Sequence, residues 1–215
     1  MNASQTVRAG AVCALAASAM LVVMAIVGLP AGEGMAIVGQ PGLPDNHMTI
    51  LSPYADTLQV VMALDNIFLI AYTGAFIGAA ALVWRRARLL GVIGLGFALL
   101  LALLDISENA VTVNIARAVE TGVPVALGEI TLLGLLEQIK YAAATLAVVY
   151  LAIALLIAQP ASRGMTWVTA VVFLLFPVVN AVTVVNPGAK TLLIRWMLLM
   201  LLASAVLLWR SSQDK

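Results

Sequence analysis

Charge is scarce in this chain. Of 215 residues, 10% are charged and 63% are hydrophobic, against about 25% charged in an ordinary soluble domain. That shortage excludes a soluble globule. Histidine and cysteine are scarcer still, with one of each, His47 and Cys13. A single cysteine excludes an intrachain disulfide and any cysteine-built metal cluster. Cys13 lies inside the first apolar run and reads as small apolar packing. A single histidine, placed in a loop, provides no clustered-histidine zinc or iron site and no pairwise histidine ligation of haem. Glycine loops for nucleotides are missing as well: there is neither a Gly-Lys-Ser/Thr loop nor a Gly-x-Gly-x-x-Gly run. Ser107 stands beside Glu108 without a Ser-His-acid arrangement. The eleven basic residues form no extended stripe, which argues against nucleic acid as a partner.

Long apolar runs are abundant. Six are long enough, or nearly so, to cross a bilayer, so the chain reads as an all-α, polytopic integral membrane bundle forming one transmembrane domain over residues 1–215. The first run, Ala9 to Leu29, is longer than the apolar core of a signal peptide and is taken as the first span. Spans two to six are expected at Thr57–Trp84, Leu89–Arg117, Val125–Ala158, Met165–Val185 and Thr191–Trp209. The fourth reads either as one long tilted helix or as an interfacial helix continuing into a spanning one. Pro177 marks a kink in the fifth. Between the first two spans, Pro30 to Asp56 forms a long connection with turns at Pro41-Gly42, Pro44-Asp45 and Ser52-Pro53, and with room for a short interfacial helix at Met48–Leu51. Asn186-Pro187-Gly188 is a further turn. Gly74-x-x-x-Gly78 permits close helix packing.

Basic residues set the orientation. With both termini cytoplasmic, the inner ends collect Arg8, Arg85, Arg86, Arg88, Arg163, Arg210 and Lys215 against one acid, Asp214, as the positive-inside rule requires. The Pro30–Asp56 connection is then extracytoplasmic. Trp84, Trp167 and Trp209 fall near the same inner boundary, where interfacial tryptophans collect. A bacterial inner membrane or plasma membrane is the expected setting.

The remaining polar residues line up in depth. Asp65 lies 20 positions before Arg85, Asp105 17 after Arg88, Lys140 23 before Arg163, Asn180 17 after it, and Arg195 15 before Arg210. At about 1.5 Å per residue these groups stand roughly 22–35 Å from the basic boundary, in one polar layer shared by five spans. Asp105, Glu108 and Asn109 share one helical face. Two neighbouring carboxylates in apolar surroundings need a counter-charge, water or a proton, and Lys140 is the candidate counter-charge. Asp65 begins a stripe with Phe68, Tyr72 and Phe76, in which the acid would meet a polar head and the rings an apolar tail. Glu137, Lys140 and Tyr141 share a face of the fourth span. Glu129 belongs nearer the outer surface. Arg195, accompanied by Lys190, could bind an anionic group through its planar fork. Asn180 could hydrogen-bond across the bundle or to backbone freed by the kink.

Three functional classes fit. The first is binding or transport of a small polar or amphipathic solute through an outward-facing pocket, with proton coupling through its carboxylates. Its ligand-binding residues would be Asp65, Tyr72, Asp105, Glu108, Asn109, Glu137, Lys140, Asn180 and Arg195. The second is an intramembrane enzyme acting on a lipid or isoprenoid, with Asp65, Asp105, Glu108 and Lys140 in acid–base roles. The third is an accessory subunit whose charges only hold helices together. Membrane lipid and the solute are the expected partners, and a homo-oligomer could complete a path. Metal is unassigned, because Lys140 and Arg195 would compete with it. Between Asp105 and Glu108, the second is expected to be the more purely functional and the first the more structural.

Overall fold

The computed structural model describes residues 2–32, 44–186 and 189–213. Among them every regular element is helical, and six segments are long and apolar enough to span a membrane. The protein is an all-α polytopic integral membrane protein. In chain order the helices are α1 (Ala3–Gly28), α2 (Pro44–Leu51), α3 (Ala55–Val83), α4 (Arg88–Thr121), α5 (Leu127–Ala158), α6 (Arg163–Leu174), α7 (Phe176–Val185) and α8 (Lys190–Gln213). Short 3-10 turns follow α1 and precede α3. The turns expected at Pro41-Gly42 and Pro187-Gly188 lie outside the described residues, as do the side chains of His47 and Lys190.

Local chemistry explains the helix ends. Asn2 caps α1 by accepting from the Gln5 N–H at 2.9 Å, while Gln5 Oε1 accepts from the Asn2 N–H at 3.0 Å. This reciprocal pair satisfies two donors that a helix start otherwise leaves open. Gly122, at φ 69°, closes α4 in the left-handed conformation that glycine adopts without steric cost. Gln159 takes the same region at φ 41°, and Pro160 prevents α5 from continuing. The fourth span is one helix of 32 residues, not an interfacial piece joined to a spanning one. At about 1.5 Å per residue it outreaches a hydrocarbon core of about 30 Å, so it tilts or projects.

The fifth span is two helices rather than one bent helix. α6 and α7 meet at Leu175, two residues before Pro177, because proline has no N–H to return to the carbonyl one turn earlier. The indole of Trp196 on α8 donates to the Val172 carbonyl at 3.0 Å, so a neighbouring helix serves the backbone at the break.

The spans pack in sequence order. α3 lies against α4, α4 against α5, α5 against α6, and α6 with α7 against α8, which returns to α3. These five spans form a ring. α1 lies outside it, packed on α3 and α8 along their seam. Lipid is as apolar as a leucine side chain, so close packing must hold such helices together. α1 supplies a face of small residues: Gly10, Ala11, Ala14, Ala17 and Ser18 are all buried. At Gly10 and Gly78 the backbones nearly touch, and a Cβ built on either would stand 2.6 Å from the other's Cα. The Gly74-x-x-x-Gly78 motif therefore packs within the chain.

The two ends of the bundle differ. Ser4 Oγ reaches the Ser212 carbonyl at 3.4 Å, so both ends of the described chain share one side. Arg8 lies over the Trp209 ring at 5.2 Å and Arg88 over Trp84 at 4.8 Å. Arg86 donates to the Ala158 carbonyl at 3.1 Å, tying the α3–α4 turn to the end of α5. At the opposite end α2 is packed down: Leu51 is buried with Leu58, Ile115, Val125, Ile130 and Leu133 in a core of its own.

Candidate functional site

Three neighbouring spans bring six of the expected residues together. Asp65 and Tyr72 come from α3, Asp105, Glu108 and Asn109 from α4, and Lys140 from α5. The ring order makes this meeting possible, since α4 stands between α3 and α5. On α4, Asp105, Asn109 and Thr112 are buried at spacings of four and three, one continuous face.

Lys140 is the hub. Its ammonium lies 3.3 Å from Asp105 Oδ1 and forms a second, closer ion pair with Glu108. The other Asp105 oxygen accepts a short hydrogen bond from the Tyr72 hydroxyl. Asn109 donates to Asp65 Oδ2 at 2.7 Å and to Asn66 Oδ1 at 3.1 Å. Tyr141, next to Lys140, lies with its ring centroid 5.4 Å from the ammonium. Three carboxylates thus share one ammonium, a tyrosine hydroxyl and an asparagine amide. In a low-dielectric setting such groups must be paired, hydrated or protonated.

Beside this network lies a cavity of about 160 Å³ inside the ring. Asp65, Asp105, Lys140 and Tyr141 line one end of it. Phe68, Tyr72 and Phe76 form one wall, and Phe173 and Phe176 from the broken fifth span also face it. Phe68 and Phe76 each meet Tyr72 edge-on, with centroids 5.2 and 6.1 Å apart. Along α3 the lining runs from Asp65 to Ala79, a rise of about 21 Å at 1.5 Å per residue. Ser204 lines it from α8, near Arg210 and the basic end. The cavity is a narrow slot with a charged end and an aromatic length.

The chain matches no protein-family model, no curated protein and no solved structure. Its chemistry rests on its own residues.

Not every expected residue joins the slot. Glu108 and Asn109 hold lining residues without lining it themselves. Asp105, buried to 9% exposure, both lines the slot and pairs with Lys140, whereas Glu108 pairs with Lys140 only. Glu137 is half-buried and off the lining. Asn180 sits on α7 beyond the slot, its amide oxygen buried without a hydrogen-bond partner among the described residues. Arg195 is exposed and also off the lining. Among the described residues no group of three or more His, Cys, Asp or Glu side chains could hold a metal.

Sequence reasoning missed the far wall. Met197, Met200, Leu201 and Ser204 all line the slot at the spacing of one helical face. Because α8 is apolar nearly all round, that stripe has no contrast against its lipid-facing side. Phe173 and Phe176 carried a usable signal, two aromatics three apart beside a helix-breaking proline.

Proposed function

We propose that the protein binds a small amphipathic solute inside the membrane and carries it across. The solute's polar head would meet Asp65, Asp105, Lys140 and Tyr141, and its apolar part would lie along Phe68, Tyr72 and Phe76. The observation that carries this reading is the slot itself, charged at one end and aromatic along its length. Binding sites commonly combine an apolar cleft with a few convergent polar groups. A membrane lipid or a lipid-derived molecule would have this form.

The basic end is assigned to the cytoplasm, in a bacterial inner membrane or plasma membrane, because Arg8, Arg85, Arg86, Arg88, Arg163 and Arg210 gather there. The charged end of the slot then faces outward. In a Cys13→Ala background, Arg88→Cys should label only from the cytoplasmic side and Val123→Cys only from the other. The reverse pattern would overturn the orientation.

A second reading, acid–base chemistry on such a molecule, is favoured by one observation. Tyr72, Asp105, Lys140 and Glu108 form a connected chain of proton-bearing groups at the head end. Mass spectrometry of protein extracted gently into lipid nanodiscs tests both. The wild type should retain a specific amphiphile, unchanged under the carrier reading and converted over time under the enzyme reading. Val148→Phe, which narrows the slot two turns from Lys140, should lose it. Equal retention by the variant would contradict both.

A further inference from the structure

The charge of the head group follows from how the acids are paired. The geometry points to a slot that selects a compact organic cation, an amine or quaternary ammonium carrying one apolar tail. This inference rests on the amphipathic-solute reading and narrows it.

Among the described residues Lys140 is the only cation lining the slot, and it is already engaged by two carboxylates, Asp105 and Glu108. Asp65 lines the same end but forms no ion pair with any described lysine or arginine. Its hydrogen-bond donor is the neutral amide of Asn109. An ionised Asp65 would be an unpaired charge in surroundings where that is costly. A cationic head would supply its counter-charge, and an anionic head would meet an end that already holds three acids against one ammonium.

The walls agree with the charge. Phe68 and Tyr72 lie one and two turns beyond Asp65 on α3, and Phe76 one turn further. Phe173 and Phe176 reach the slot from the broken fifth span. An aromatic ring attracts a cation within about 6 Å of its centre, so Phe68, one turn from Asp65, bears on the head, while Phe76, eleven residues on, lines the tail. A metal ion would find the wrong ligands, since hard cations take six or more oxygens and the wall beyond Asp65 is rings and methionines. Size sets the last limit. A volume of about 160 Å³ is close to that of an engineered cavity, roughly 150 Å³, that holds benzene. The slot is only partly enclosed, so a compact head fits inside it and a tail longer than a few carbons uses its open side.

Three probes sharing one tail test this in nanodiscs of zwitterionic lipid: hexyltrimethylammonium, 1-hexanol and hexanesulfonate. Titration calorimetry should rank the cation about tenfold or more tighter than the alcohol, with the sulfonate weakest. Asp65→Asn should erase most of the cation's advantage over the alcohol, and Asp65→Glu should keep it. Alcohol and cation binding alike to the wild type would overturn the cationic head and leave the amphipathic reading standing. Tightest binding of the sulfonate would overturn it too, and would make Lys140 the partner of the head. No binding by any probe would overturn both. Should Asp65→Asn fail to fold, the wild-type ranking alone decides.

Discussion

At Lys140 a single ammonium holds two carboxylates from the neighbouring helix, and its removal exposes what the pairing does. Lys140→Met keeps much of the side chain's length but leaves Asp105 and Glu108 facing each other with no counter-charge. Breaking a buried pair from one side costs about 3–5 kcal/mol, so the variant should unfold well below the wild type in nanodiscs. Adding Asp105→Asn and Glu108→Gln to the same chain should restore most of the loss, because the two acids that lost their partner are then uncharged. A single variant as stable as the wild type would show that the acids are not buried charges. The same residues separate recognition from support. Asp105 lines the slot and accepts from Tyr72, whereas Glu108 acts through Lys140. Asp105→Asn should therefore cost more ligand retention than Glu108→Gln at equal folded yield, measured side by side by mass spectrometry and thermal unfolding.

Between helices, contact is set by how little stands on the backbone. α1 and α3 meet where Gly10 opposes Gly78, and neither helix has a flexible side chain there to move aside. Gly78→Ile should cost about 3 kcal/mol or more, the upper end of overpacking. Gly96, also mid-span, has nothing within 4 Å of an added Cβ. Gly96→Ala should therefore be neutral or stabilise by up to about 1 kcal/mol, the helix preference for alanine. Thermal unfolding of the two variants checks both, and equal effects would contradict the packing account. These glycines also show what the sequence made legible. Their spacing announced close packing, while the partner, α1, was visible only in the fold. Most helix bounds were legible for the same local reasons, since prolines, glycines and arginines punctuate the runs. However, α1 begins at Ala3, six residues before its apolar run, and α4 continues to Thr121, past Arg117. The division of the fifth span was legible as a kink and not as two helices, because the service that Trp196 gives to Val172 comes from another span.

Across the whole molecule, depth could be read from the sequence and direction could not. Counting residues from the basic boundary placed Asp65, Asp105 and Lys140 at one level, and they do meet. The same count included Asn180 and Arg195, which do not line the slot. A span that is apolar on every side gives no signal of its rotation, and rotation decides which groups face the ring's interior. The ring itself is the larger consequence. Five spans line the slot, which stays partly open, and α1 packs over the seam between α3 and α8. The most direct measurement is an experimental density map of the protein extracted with its native lipids. One feature should lie in the slot, its head beside Asp65 and its tail along Phe68 and Tyr72. A slot closed by its own side chains, or density only on the outer, lipid-facing surface, would contradict that placement.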